Sequence, residues 1–339
     1  MVMSRTYIIA EIGVNHNGNL DLALQSIQEA KKAGADCVKF QTFKAEQIVT
    51  QNSPKASYQL AVTDPGESQF SMLKKLELSF DDYRELLKAC KAENVDFLST
   101  PYNKADVDFL EKLDVTMYKI ASGQLTELPF LRYVARTGKK IYLSTGMGTL
   151  SDVFDAVQAI REEGNNNLCV LQCTTNYPSK MEDANIKAML SIREACKADV
   201  GYSDHVPENY ACYAAVALGA GVIEKHFTLD KKMDGPDHSS SLDPLEFADL
   251  VKGIRAVEMS LGDGIKKPTE AERKNMYGMK RSLVVLKDMN AGEVLEEQYI
   301  GFKRPANGLS PNYLDSVIGK KLCKALKKDE PLQTDTINW

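Results

Sequence analysis

"VIEKHFT" (222–228) begins as a buried parallel strand and ends on charge: Val222 and Ile223 run into Glu224, Lys225 and His226. Successive strand side chains face opposite ways, so Glu224 and His226 share one face and Lys225 takes the other, outward or toward a helix end. A carboxylate and an imidazole closing an otherwise apolar strand fit the mouth of a parallel barrel, where the carboxyl ends of the strands converge on the active site. The rest of the chain repeats the pattern. "YIIAEIG" (7–13), "CVKFQTF" (37–43), "DFLST" (96–100), "MYKIASG" (117–123), "KIYLSTG" (140–146), "LCVLQCT" (168–174) and "DVGYSD" (199–204) are short β-branched runs. Amphipathic stretches such as 21–35, 81–95 and 245–262 separate or follow them. Eight strand–helix units predict an α/β fold, a (β/α)8 TIM barrel over residues 1–261. A doubly wound open sheet would want a glycine-rich dinucleotide loop after its first strand, and "AEIGVNHNG" (10–18) does not spell one.

Beyond the barrel the pattern changes. Residues 262–276 are polar, carry Gly and Pro, and read as a linker able to extend. Residues 277–339 have short strand runs, turn signals at Asn290–Gly292 and Ala306–Gly308, and no long amphipathic helix, which predicts a separate small β-rich module.

Composition narrows the function classes. The 339 residues are 43% apolar and 26% charged, with a net charge of −5 and both signs mixed along the chain, so no footprint for nucleic acid is present. No run approaches the roughly 18 apolar residues of a membrane span, and "MVMSRTYIIAEIG" (1–13) lacks a secretory pattern, which places the expected protein in the cytoplasm. Seven cysteines, without a Cys-x-x-Cys pair, read as buried small hydrophobes in a reducing compartment.

The strand ends carry the chemistry. Glu11 closes the first strand, Lys39 and Gln41 the second, Ser99 and Thr100 the third, Lys119 and Ser122 the fourth, and Thr145 the fifth. Thr174, Thr175 and Tyr177 follow the sixth, and Ser203, Asp204 and His205 the seventh. Ser and Thr here also suit helix caps. Lys39 and Lys119 interrupt apolar runs and so require an anionic partner, either a barrel carboxylate or a ligand. Of four histidines, His205 and His226 end adjacent strands, which suits a divalent transition metal as well as a structural or acid–base pair. His16 and His238 fall in segments after the first and eighth strands.

Taken in order, "AEIGVNHNG", "VKFQTFK", "STPY", "YKIASGQ", "LSTGM", "CTTNYP", "GYSDH", "IEKHFTLD", "GPDHSSSL" and "KRPANG" (303–308) resemble the sialic acid synthase family across essentially the whole chain. The resemblance implies a barrel joined to a C-terminal antifreeze-like (SAF, β-clip) domain. It also implies condensation of phosphoenolpyruvate with an N-acyl-mannosamine-type aldehyde. On this reading Glu11, Glu224 and His226 are catalytic, and Lys39, Thr100, Lys119, Ser122, Thr175 and Ser203 hold phosphoenolpyruvate. Gln41, Tyr177, Asp237 and Arg304 contact the sugar, and His205 with His226 bind a divalent metal, manganese first, with magnesium or cobalt as alternatives. Some members carry asparagine where Thr175 stands, so the phosphate contact falls to Thr175 or Asn176. The family further implies a domain-swapped homodimer in which the small domain of one chain caps the barrel of the other. The expected product is N-acetylneuraminate from N-acetylmannosamine. The alternative is N,N'-diacetyllegionaminate from 2,4-diacetamido-2,4,6-trideoxymannose, and the segment after the first strand makes pseudaminate a poorer fit. Residues 44–70 are where discrimination between acceptors is expected.

Overall fold

The computed structural model describes residues 5–64 and 66–339. Residues 1–4 of the N-terminal stretch read above, and Pro65 of the 44–70 loop, lie outside the described residues. The chain divides into two compact units, one reaching Asp263 and the other spanning Gly264 to Trp339.

The first unit is a closed barrel of eight parallel strands in sequential order. The strands are β1 (Tyr7–Gly13), β2 (Cys37–Thr42), β3 (Asp96–Pro101), β4 (Met117–Ile120), β5 (Lys140–Ser144), β6 (Leu168–Cys173), β7 (Asp199–Asp204) and β8 (Val222–His226). Seven fall within the sequence runs that predicted them, and β3 extends one residue past its run, to Pro101. Between them run helices whose apolar faces cover the barrel, among them Leu20–Lys32, Phe80–Glu93 and Pro244–Leu261. The last begins where Asp243 accepts from the amides of Leu245 and Glu246 and Pro244 occupies the first turn, a start the sequence spells out.

Period-two alternation divides every strand between helix layer and barrel interior. Ile9, Leu98, Leu171 and Val222 belong to an apolar cluster inside the barrel. Two residues further along their strands stand Glu11, Thr100, Cys173 and Glu224, so a dry floor lies beneath a polar rim. Register fixes the neighbours on that rim: Glu11 is opposite Lys39, Gln41 opposite Thr100, Ser203 opposite Glu224, and Glu11 also opposite His226.

In the second unit, β9 (Ser282–Val285) pairs antiparallel with β10 (Ile300–Lys303), and β11 (Lys321–Leu322) with β12 (Ile337–Asn338). Their inward residues, with Met289, Leu295 and Leu332, build a separate apolar core. One expectation is corrected here. The linker 262–276 is not extended throughout, because helix Glu270–Met279 runs across its end into the module. Thr269 caps that helix, accepting from the amide of Glu272 while the Glu272 carboxylate accepts from Thr269 N, a Thr-x-x-Glu capping box visible in the sequence. A second correction concerns the cysteines: six are buried, but Cys323 is exposed.

Candidate active site

The inward residues at the strand ends enclose a cavity of about 430 Å³ at the carboxyl end of the barrel. Glu11, Lys39, Gln41, Thr100, Lys119, Ser122, Thr175, Tyr177, Ser203, His205, Glu224, His226 and Asp237 all line it. Alternation explains which candidates face elsewhere. The Ser99 hydroxyl pairs with Thr42 at 2.6 Å, Thr145 donates to the Leu171 carbonyl, and Thr174 donates to the Asp183 carbonyl. Asp204 and Lys225 turn to the helix side, where their side chains meet at 2.6 Å.

Four buried charges form the centre. Lys39 Nζ is 2.9 Å from Glu11 Oε2 and 3.6 Å from Glu224 Oε2, and Lys119 Nζ is 3.5 Å from Glu224 Oε1. The lysines that interrupt the apolar runs therefore have barrel carboxylates as partners, while still facing the cavity. The two carboxylates are pushed apart in acidity. Burial raises Glu11, helped by the negative charge of Glu224 and opposed by Lys39. Burial would raise Glu224 too, but the Lys119 and Lys39 ammoniums and the Ser203 hydroxyl, donating at 2.8 Å, hold it down to about 2. Desolvation lowers Lys119, whereas for Lys39 the desolvation is outweighed by Glu11 and Glu224, and its pKa rises. One glutamate is thus a fixed anion and the other a proton-exchanging group, the division of labour that acid–base chemistry needs.

Beside this centre, hydroxyls and an amide converge. Lys39 Nζ reaches Thr100 Oγ1 at 3.5 Å, and Gly146 N donates to Ser122 Oγ at 3.0 Å. Thr175 Oγ1 is buried without a hydrogen-bond partner, and a Cβ on Gly146 would collide with both Thr175 Oγ1 and Ser122 Oγ. Glycine at 146 keeps that polar nook open. Asn176 is exposed and its side-chain amide donates to the Pro178 carbonyl, so Thr175 is the one of the pair that lines the cavity.

Gln41 is held at both ends of its amide, donating to Glu11 Oε1 at 3.1 Å and accepting from Tyr102 OH at 3.2 Å. Gly13, with φ of +56°, ends β1 beside a register shift and lets the chain turn away without crowding the Glu11 carboxyl. The Tyr177 ring lies between those of Tyr58 and His205, with centroids 4.8 and 4.1 Å away and the planes tilted by 39° and 44°. Asp237 is pushed up to about 6, by burial first and by Glu11 second. Arg304 is exposed on the second unit, just after β10.

The His205 and His226 rings lie 5.3 Å apart. His205 Nδ1 is 2.7 Å from the Thr174 carbonyl, which can only accept, so this nitrogen carries a proton; burial lowers the ring's pKa but Cys173 and that carbonyl outweigh it and raise it, and in the neutral ring Nε2 is the nitrogen with a lone pair to offer. His226 Nδ1 is buried without a hydrogen-bond partner and 3.9 Å from Asp237 Oδ2. Burial and the positive surroundings drive the His226 pKa well below its ordinary value, leaving a neutral ring. These donors fit a divalent ion whose remaining ligands are water and substrate. Among the described residues no set of three or more His, Cys, Asp or Glu side chains forms a ready-made cage. His16 and His238 do not line the cavity. His16 Nδ1 accepts from Gly18 N, and His238 bonds Thr228 Oγ1 and Asn17 Oδ1, tying the loop after β1 to that after β8.

Several lining residues escaped the sequence reading. Ser144, one residue before the highlighted Thr145, takes the inward position, and its hydroxyl is buried without a partner. Cys173, 3.9 Å from His205 Nδ1, is also there; burial raises the thiol, but His205 and Lys119 bring it down to about 7. Strict alternation from the strand ends would have found both. Tyr58, Gln59 and Gln69 reach the cavity from the 44–70 loop, where no periodicity signals them.

Comparison with known proteins adds to the geometry. The NeuB family model matches residues 26–266, and the SAF domain model matches residues 280–338. An N,N'-diacetyllegionaminic acid synthase of Campylobacter jejuni is 47% identical over 330 residues, covering 97% of this chain and 99% of that protein. A pseudaminic acid synthase of the same species is 37% identical, covering 97% and 96%. The crystal structure of an N-acetylneuraminic acid synthetase from Leptospira borgpetersenii, in complex with citrate, superposes with a TM-score of 0.72 at 30% identity, covering 80% of this chain and 90% of that one. No helix among the described residues is long and apolar enough to cross a membrane.

Proposed function

The chain belongs to the NeuB family of sugar-acid synthases and is a carbon–carbon bond-forming enzyme, and on that premise we propose that it condenses phosphoenolpyruvate with 2,4-diacetamido-2,4,6-trideoxymannose to give N,N'-diacetyllegionaminate and phosphate. This acceptor displaces N-acetylmannosamine, the first expectation from sequence. The observation that carries the choice is the 47% identity, over nearly the full length of both chains, to a protein named for that product, against 37% and 30% for those named for pseudaminate and N-acetylneuraminate.

Lys39 and Lys119 supply the cations for the phosphate and carboxylate of phosphoenolpyruvate, and Thr100, Ser122, Thr175 and Ser203 supply hydroxyls. Glu224 stays ionised and orients the two lysines it touches. The enol carbon C3 attacks the acceptor's aldehyde carbon, whose oxygen takes up a proton and becomes a hydroxyl. C2 is left electron-poor and is attacked by water, which gives a proton to Glu11. The C2–O bond to phosphate then breaks, phosphate leaves with the bonding electrons and takes up the remaining proton of the new C2 hydroxyl, and C2 becomes the ketone. A divalent ion on His205 and His226, when bound, supplies Lewis acidity for the aldehyde. Gln41, Tyr177 and Asp237 position the sugar, and Arg304 reaches its N-acyl group from the small domain of a second copy in a swapped dimer.

Incubating purified enzyme with phosphoenolpyruvate, manganese and each candidate acceptor, and weighing the products, tests the choice. A product mass for N,N'-diacetyllegionaminate is expected at the highest rate. Faster conversion of N-acetylmannosamine overturns it.

A further inference from the structure

One wall of the cavity does not match its polar floor and rim. Val14, Phe43, Met72 and Leu76 form a buried apolar cluster separate from both barrel cores, with Ile48 and Leu73 packed against it, and all six line the cavity. Val14 follows β1, Phe43 follows β2, Ile48, Met72 and Leu73 come from the short helices Ala45–Ile48 and Gln69–Lys75 in the connection to helix Phe80–Glu93, and Leu76 caps the second of these.

That connection is held in place rather than left as a loose cover. Lys55, buried within it, donates to Thr63 Oγ1 at 2.9 Å and to the Asp64 carbonyl at 2.7 Å, and pairs with Glu67 at 3.5 Å. Of the connection's polar side chains that face the cavity, Gln59 is engaged with its neighbours, its amide nitrogen donating to Tyr58 OH at 3.4 Å. Gln59 Oε1 accepts from Ala56 N at 3.0 Å and from Gln69 Nε2 at 3.2 Å.

A chain of contacts connects the reacting end to this wall. Glu11 accepts from Gln41, Gln41 accepts from Tyr102, and the Tyr102 ring meets Phe43 edge-on at 6.0 Å. An acceptor placed with its aldehyde carbon near Glu11 and extended along this chain of contacts would pass Gln41 and Tyr102 and end against apolar side chains. A hydroxymethyl group against these six side chains loses water and meets no polar side chain among them, whereas a methyl group loses nothing.

We propose that Val14, Phe43, Met72 and Leu76 select the acceptor at C6, receiving the methyl group of a 6-deoxy sugar and disfavouring the hydroxymethyl group of a hexosamine. This deepens the acceptor assignment above and rests on it. The diacetamido trideoxy sugar tests that assignment. The pair 2-acetamido-2,6-dideoxymannose and N-acetylmannosamine, which differ only by the C6 hydroxyl, tests the wall.

The experiment measures kcat/KM for these three sugars with wild-type enzyme and with the Val14→Thr and Met72→Gln variants, alongside KM for phosphoenolpyruvate and the urea midpoint. An apolar pocket rejects an added hydroxyl by up to about a hundred-fold, so a wild-type preference of roughly ten- to a hundred-fold for the dideoxy member is expected. Each variant should narrow that preference by about ten-fold, with KM for phosphoenolpyruvate within about two-fold of wild type. Val14→Thr conserves shape and keeps the test valid if Met72→Gln folds poorly. An unchanged C6 preference in a folded variant, or no preference in wild type, overturns the wall's role even when the diacetamido sugar is the best substrate. If N-acetylmannosamine is the best of the three, the acceptor assignment falls and the wall's role falls with it.

Discussion

Lys225 Nζ lies 2.6 Å from Asp204 Oδ2, with both side chains almost completely buried between the barrel and its helices. The same ammonium donates to the carbonyls of Val206 and Glu208, and Asp204 accepts from the Tyr202 hydroxyl and from Val206 N. His205 and His226 are the chain neighbours of this pair, on the opposite face of their strands. The pair therefore clamps the strand ends that present the two imidazoles. Removing one partner of a buried pair strands the other charge, so Lys225→Met should lose roughly 3–5 kcal/mol in urea unfolding. The double variant Asp204→Asn/Lys225→Met should recover part of the loss. A single variant within about 1 kcal/mol of wild type would show that the clamp does not hold the strand ends.

Phosphoenolpyruvate affinity should depend on Lys39 and Lys119. Loss of a charge-assisted contact costs about 1.5–3 kcal/mol, or one to two decades in dissociation constant. Titration calorimetry of the Lys39→Met and Lys119→Met variants measures this directly. Wild-type affinity in both would remove the lysines from the phosphoenolpyruvate site.

The raised pKa of Glu11 sets the sign of a pH effect. As the acceptor of water's proton Glu11 must be ionised, so activity is present above its pKa and lost as pH falls through it. Because burial moves that pKa upward, the acidic limb of kcat/KM should stand above the ordinary glutamate value of 4.5. Glu11→Gln should lose activity by about two to four decades, and its residual rate should lack that limb. An acidic limb that persists unchanged in Glu11→Gln assigns it to another group.

Manganese bound to dialysed enzyme, counted by elemental analysis, should fall from about one per chain to near zero in His226→Ala, and chelator should abolish condensation in wild type. Equal metal content in the variant, or full activity in chelator, rejects the two-histidine site.

Arg304 provides a test of assembly. Glu11→Ala and Arg304→Ala chains, unfolded and refolded together, should regain roughly a quarter of wild-type activity per chain if Arg304 serves the barrel of another copy, since mixed swapped dimers then hold one intact site. Activity no higher than that of the separate variants, with mixed dimers shown to have formed, favours each chain serving itself.

Most of the barrel was legible because its signals are local. Strand runs such as Leu168–Cys173 are apolar, short and regularly spaced, and the inward members of each polar end follow from alternation once a strand is fixed. Ser144 rather than Thr145 takes the inward place because parity along Lys140–Ser144, not nearness to the strand's end, decides which side chain faces the cavity. Tyr58, Gln59, Met72 and Leu76 were not legible for a different reason. Their places depend on how the connection after β2 folds over the mouth, and that path is set by tertiary contacts such as those of buried Lys55, which no period in the sequence encodes.

The alternation along Val222–His226 also bears on how such a chain can change length. A substitution at Ile223 alters one side chain, but deleting one residue from this strand exchanges the two faces for everything beyond it. Lys225 would then turn toward the substrate chamber, and Glu224 and His226 toward the helices, where the carboxylate would meet Asp204 without its ammonium. Length variation among descendants of this sequence should therefore collect in the loops and the 44–76 connection, while the eight strands keep their residue count even as their composition drifts.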